Sequence, residues 1–360
     1  MENQKICLLY MGGTIGMRLD GSGIAQLPTD PDRFLDSFPE LTSRYQIDQV
    51  TLCNKDSVNI TSTDWSALAK AIWDRRRSGY TGFVVVHGTD TMHYTATALA
   101  FALGGSPLAT PVALTGSLRP LNAEKPDGAR NLADACRVVM GNFGEVMIVF
   151  GRRVLRGCQT EKTAGVVSNS AAFEMPQREP LGRVLGSGQL SLGMKMVERG
   201  RLAESDDDDP YPGGDTLNEV FADRIWPIAL RPGLTPSMCE GWLDGRCRGV
   251  VLQGFGDGNI PDAPGIGWID WIREATRRDV PVLLSGPRSG VITQGTTYPP
   301  GRAAIEAGAI PTGGMTNTCL HVKLRWTVAR AQRQGGPIIP QVREMMQQVW
   351  VHEMDPPDEP

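Results

Sequence analysis

Histidine is scarce in this chain, with four among 360 residues, and no Cys-x-x-Cys pair joins any of the seven cysteines. Both absences weigh against a metal centre, which draws its ligands from clustered imidazoles and thiolates. An odd number of thiols, sitting mostly inside apolar segments, reads as a reduced, cytosolic set and not as a disulfide framework. No apolar run approaches the roughly 18 residues of a membrane span. The opening Met1-Glu2-Asn3-Gln4-Lys5 lacks the basic and long apolar regions of a secretory signal. Excess positive charge is missing too: a formal charge of -4 excludes a global nucleic-acid footprint. These absences leave a cytoplasmic protein that is long enough for two domains.

Apolar runs of strand character alternate with helical periodicity. Strands are predicted over 6–10, 46–53, 83–86, 111–115 and 146–150, and helices over 63–77 (capped by Thr63), 93–103 and 127–140. Near-continuous apolar strands in such an alternation predict an α/β domain with a doubly wound, mainly parallel, flavodoxin-like sheet. A run of four aspartates with Pro and Gly follows, and it reads as a solvated linker over 204–223. Beyond it, strands over 225–230, 248–253 and 280–284 and helices over 236–243, 269–277, 318–333 and 340–350 predict a second, smaller α/β domain. The domains are thus residues 1–203 and 224–360.

Chemistry concentrates in two runs, Tyr10-Met11-Gly12-Gly13-Thr14-Ile15 and His87-Gly88-Thr89-Asp90-Thr91. Each places a threonine just past a predicted parallel strand, on the sheet edge where open α/β folds bind ligands. Either run alone also fits a glycine-rich turn with capping threonines. A threonine hydroxyl is a poor nucleophile until a neighbouring base takes its proton. Thr89, Asp90 and Lys162 have the chemistry for such a relay, although spacing alone makes Lys162, in Thr160-Glu161-Lys162-Thr163, an ordinary surface lysine. His87 ends a buried strand and reads as a hydrogen-bonded core imidazole, while His93 and His321 lie in helical patterns without ligand spacing.

With these runs, Thr115-Gly116-Ser117-Leu118-Arg119-Pro120, Asp127-Gly128, Asn131-Leu132, Arg156-Gly157 and Thr160-Glu161-Lys162-Thr163, the chain resembles the bacterial L-asparaginase family of threonine amidohydrolases, closest to its cytoplasmic type I branch. Gly313-Gly314-Met315-Thr316 with Lys323-Leu324 extends the resemblance through the second domain. It implies that Thr14 attacks a side-chain amide to form an acyl-enzyme, and that Thr89, Lys162 and Asp90 form a second hydroxyl-amine-carboxylate set. It also implies that Ser57 and Val58 border the substrate α-carboxylate, with Gly88, Thr89 and Asp90 completing the substrate site. Asn259, in Gly254-Phe255-Gly256-Asp257-Gly258-Asn259, would reach a neighbouring copy's site in a homodimer or homotetramer. Neither a metal nor an organic cofactor is called for.

Three departures stand out. Ile24 occupies the position of a mobile lid tyrosine, and isoleucine neither donates nor accepts a hydrogen bond. Tyr10 and Tyr94 are candidate substitutes. Met11 replaces a threonine, a packing change, and Val58 replaces a polar residue. Residues 18–29, polar and glycine-containing, predict a poorly ordered lid. Two alternatives follow from these departures: an amidase or transacylase acting on a modified asparagine, and a non-catalytic amino-acid sensor. A branch resembling the archaeal glutamyl-tRNA amidotransferases carries a domain ahead of its threonine motif, and the early position of Thr14 argues against it.

Overall fold

The computed structural model describes residues 5–104, 108–163, 168–176, 178–200, 217–239, 246–287 and 298–354. The chain divides into two compact units, Met1–Glu219 and Val220–Pro360. Most of the predicted acidic linker lies outside the described residues.

In the first unit, strand Lys5–Gly12 runs parallel to Gln46–Lys55 on one side and to Gly82–Val86 on the other, followed outward by Val112–Thr115 and Val146–Phe150. In chain order these strands lie 2-1-3-4-5, the flavodoxin-like arrangement. Three antiparallel strands that the sequence did not signal, Arg153–Arg156, Gly182–Val184 and Leu190–Leu192, widen this sheet to eight. Ile6, Leu8 and Tyr10 pack on one face with Leu132, Ala135 and Val138 of helix Gly128–Val138. Cys7 and Leu9, which point to the other face, are equally buried, as expected for a sheet covered on both sides.

Helix Ser62–Arg75 begins before the predicted Thr63, because Thr61 and Asp64 close a capping box: the Thr61 backbone N–H donates to Asp64 Oδ2 at 2.8 Å. Helix Met92–Ala102 is buried along nearly its whole length.

The second unit holds four parallel strands in sequential order, Ile225–Ala229, Gly249–Gln253, Val282–Ser285 and Ile310–Pro311. Trp268 and Ile272 of helix Trp268–Arg277 fill its core against Val250, Leu252 and Leu284. Helices Pro299–Glu306, Asn317–Gln334 and Ile338–Gln347 complete it. Of the helix predicted over 236–243, a single 3-10 turn, Pro236–Cys239, lies among the described residues, and the rest of it falls outside them. No helix among the described residues is long and apolar enough to cross a membrane.

Candidate active site

The first strand ends in two glycines with left-handed backbone, Gly12 at φ 106° and Gly13 at φ 92°. Gly13 meets the Gly88 backbone so closely that a Cβ on it would lie 2.4 Å from Gly88 Cα. Glycine here is therefore a matter of space as well as of dihedral angle. The contact joins the turn carrying Thr14 to the turn carrying Thr89. Both turns leave strands 1 and 3, between which the strand order reverses, the place where open α/β sheets leave a crevice.

His87 braces the second turn from beneath. Trp65 Nε1–H donates to Thr95 Oγ1 at 3.1 Å, which leaves the Thr95 hydroxyl proton for His87 Nε2 at 2.9 Å. His87 Nδ1 then carries the proton that goes to Gly88 O at 2.7 Å. Burial pushes the imidazole pKa down to about 4, so the ring is neutral at physiological pH.

Thr89 is buried, and its Oγ1 accepts from Lys162 Nζ at 3.1 Å. The same amine is ion-paired with Asp90. Lys162 lies in a short strand, Glu161–Lys162, opposite Phe173–Glu174, and not in the open surface loop that its spacing suggested. The chain returns there through Arg156, whose guanidinium is buried on Glu145 at 2.5 Å, and the turn Gly157–Gln159. The arrangement is a hydroxyl, an amine and a carboxylate in sequence, able to pass one proton between them.

Ser57 stands at the head of the turn Ser57–Asn59, where Asp56 accepts from Val58 N at 3.2 Å. Its hydroxyl oxygen accepts from Asp90 N at 3.2 Å, and its carbonyl accepts from Thr91 Oγ1 at 2.7 Å. Ser57 is buried, whereas Val58 is 63% exposed. Thr14, Gly88, Thr89, Asp90, Lys162 and Ser57 thus belong to one connected cluster of turns in the first unit. Asn259 belongs to the second unit, in a tight turn closed by paired backbone hydrogen bonds with Phe255 at 2.9 and 2.8 Å.

Sequence reading passed over Asp127 as a structural hub. Its buried carboxylate accepts from Ser117 Oγ at 2.6 Å, from the Leu118 and Arg119 backbone N–H groups at 3.0 Å each, and from Asn131 and Asn169. It thereby fixes the loop after strand Val112–Thr115, whose Gly116 lies against His87 O.

Residues 18–29, expected to be poorly ordered, hold a hairpin of Arg18–Leu19 paired with Ala25–Gln26. Asp20 builds its turn by accepting from Ser22 Oγ, Gln26 Nε2, Ile24 N and Ser22 N, which holds its carboxyl down to about 2. Asn122 clasps Leu19 through both backbone groups at 2.7 and 2.9 Å. Polar composition did not signal this hairpin, because hydrogen bonds and not an apolar core build it. Ile24 is 59% exposed. Tyr10 is buried and donates to Asn54 Oδ1 at 3.4 Å, supporting Gly16 from below.

Residues 5–197 match the family described as Asparaginase, N-terminal, and residues 224–336 match the Glutaminase/Asparaginase C-terminal domain. L-asparaginase 1 of Escherichia coli is 29% identical over 339 residues, spanning 92% of this chain and 93% of that protein. A glutamyl-tRNA(Gln) amidotransferase component of Methanosphaera stadtmanae is 26% identical over 362 residues, spanning 98% of this chain and 77% of that protein. Among solved structures, L-asparaginase I of Vibrio cholerae is similar with a TM-score of 0.79 at 28% identity, covering 98% of this chain and 99% of that one.

Proposed function

The chain belongs to the asparaginase family of amidohydrolases, and from that premise we propose that it cleaves the side-chain amide of L-asparagine, or of a close derivative, through an ester on Thr14. In the first half-reaction Thr14 Oγ bonds to the amide carbon, the C–N bond breaks, and the threonine proton leaves with ammonia. Water then attacks the ester, the bond to Thr14 breaks, the hydroxyl regains a proton, and aspartate departs. Thr89, relayed through Lys162 and Asp90, activates that water. Backbone N–H groups around Thr89 stabilise the oxyanion. Asp90 holds the α-ammonium and Ser57 the α-carboxylate of a zwitterionic substrate.

One observation carries this reading: Lys162 Nζ stands 3.1 Å from Thr89 Oγ1 while paired with Asp90, on the turn against which Gly13, next to Thr14, packs. Thr14→Ala removes one hydroxyl and no core volume, so it should leave the fold intact and abolish acyl-enzyme formation. Mass spectrometry after rapid acid quenching with L-asparagine reads it. A β-aspartyl adduct in the unsubstituted protein, absent from the variant, supports the ester, and full turnover by the variant would reassign the nucleophile to Thr89.

A second reading changes the substrate alone. Val58 and Ile24 are branched aliphatic side chains, both exposed, and an apolar mouth suits a modified asparagine, taken by an amidase or transacylase of the same chemistry. Ammonia release from L-asparagine, D-asparagine, L-glutamine and N-acylated asparagines separates the two. The assembly proposed is a homodimer or homotetramer in which Asn259 serves a neighbouring copy, and sedimentation of an Asn259→Ala variant alongside its activity tests that link.

A further inference from the structure

Thr91 occupies the N-cap of helix Met92–Ala102, where a threonine hydroxyl ordinarily accepts from a backbone N–H of the first turn. It makes no such cap. Its hydroxyl instead donates to the carbonyl of Ser57 at 2.7 Å, across 34 positions of sequence. Beside it, the Asp90 N–H donates to Ser57 Oγ at 3.2 Å. Gly88 closes the contact, since a Cβ there would lie 2.6 Å from Ser57 Oγ. Ser57 follows strand Gln46–Lys55 and Asp90 follows strand Gly82–Val86, and strand Lys5–Gly12 runs between these two in the sheet. The two turns are therefore not held together by strand pairing, and the Thr91 hydroxyl has been diverted from local helix capping to join them.

We propose that Thr91 is a positioning residue that fixes the interval between Ser57 and Asp90, and thereby selects a free α-amino acid whose carboxylate and ammonium span that interval. The inference rests on the assignment of Ser57 and Asp90 to the two ends of the substrate. Thr91 acts through Ser57 and makes no contact with the reacting atoms. The carboxylate interaction is present in both ground and transition states, so loosening it weakens binding without slowing chemistry.

The test uses the full chain with Thr91→Val and Thr91→Ser, steady-state kinetics on L-asparagine and L-asparaginamide, and calorimetric binding of L-aspartate. Thr91→Val should raise KM for L-asparagine and Kd for L-aspartate by about tenfold or more, with kcat changed less than about threefold. Its preference for L-asparagine over the amide, which lacks the carboxylate, should shrink by a similar factor. Thr91→Ser restores both. Unchanged KM and Kd in Thr91→Val overturn the proposal, as does equal damage in Thr91→Ser or a lowered melting temperature that accounts for the loss. If the unsubstituted protein binds L-aspartate without turnover, the Kd comparison decides. If it neither binds nor turns over any of these, the functional reading itself fails.

Discussion

Two lysine-carboxylate pairs, one in each unit, show how the same chemical partnership serves opposite ends. Lys162 and Asp90 have side chains 25% and 55% exposed, whereas Lys323 and Glu353 are both 0% exposed. Around the buried pair every polar atom is matched: Lys323 Nζ also donates to Met346 O at 3.1 Å and Gln348 O at 2.7 Å, and Glu353 accepts from Trp350 and Val351 backbone N–H groups. It clasps the segment after helix Ile338–Gln347 to helix Asn317–Gln334. The site pair is left half-solvated, with Thr89 as the amine's further partner. A buried pair with every hydrogen bond filled is a structural clasp, while a partly hydrated one next to a hydroxyl stays open to a further partner.

The largest way to break this contrast is Lys162→Met. Turnover should fall by about a thousandfold or more, while the melting temperature stays within about a degree or two, because an exposed pair adds little stability. Steady-state ammonia release and calorimetry read the two halves. Glu353→Ala should do the reverse, costing about 3–5 kcal/mol by leaving a buried ammonium unpaired, with kcat of the folded fraction unchanged. Urea titration followed by tryptophan fluorescence measures it, and an undiminished midpoint would mean that water already reaches Lys323.

His87 sharpens the comparison as a group buried without a counter-charge. Its folded pKa, near 4, lies below the usual value near 6.5, so the unfolded chain takes up the proton first as pH falls. Its contribution to stability is full above about pH 6.5 and is lost progressively toward pH 4, on the order of 3 kcal/mol. Melting curves across that range should fall less steeply for His87→Gln than for the unsubstituted protein. The smallest effect belongs to Lys323→Met combined with Glu353→Gln, which removes both charges yet keeps an acceptor for Trp350 and Val351. It should lose no more than about 1–2 kcal/mol, far less than Glu353→Ala.

What could be read in the sequence follows the reach of each interaction. Thr14 and Thr89 were legible because each follows a near-continuous apolar strand, and parallel pairing of those strands brings their ends together. Lys162 was not legible from spacing, since its place beside Thr89 depends on the chain folding back through the antiparallel strand Arg153–Arg156 and the Gly157–Gln159 turn. Resemblance to a family supplied what periodicity lacked. The strands Gly182–Val184 and Leu190–Leu192 are three residues each, too short to impose a period. Thr91 looked like an ordinary helix cap, because a cap and a cross-turn donor present the same residue at the same position. Thr61, like the expected cap Thr63, precedes the apolar stripe, and its reciprocal box with Asp64 makes it the cap.

The nesting of Gly13 against Gly88 has a consequence for how heat should disable this protein. Because the interval between the Thr14 and Thr89 turns is imposed by main chain resting on main chain at the ends of central strands, it can widen only when those strands part. Loss of catalysis on warming should therefore coincide with cooperative melting of the first unit, with no earlier phase of gradual slackening at lower temperature.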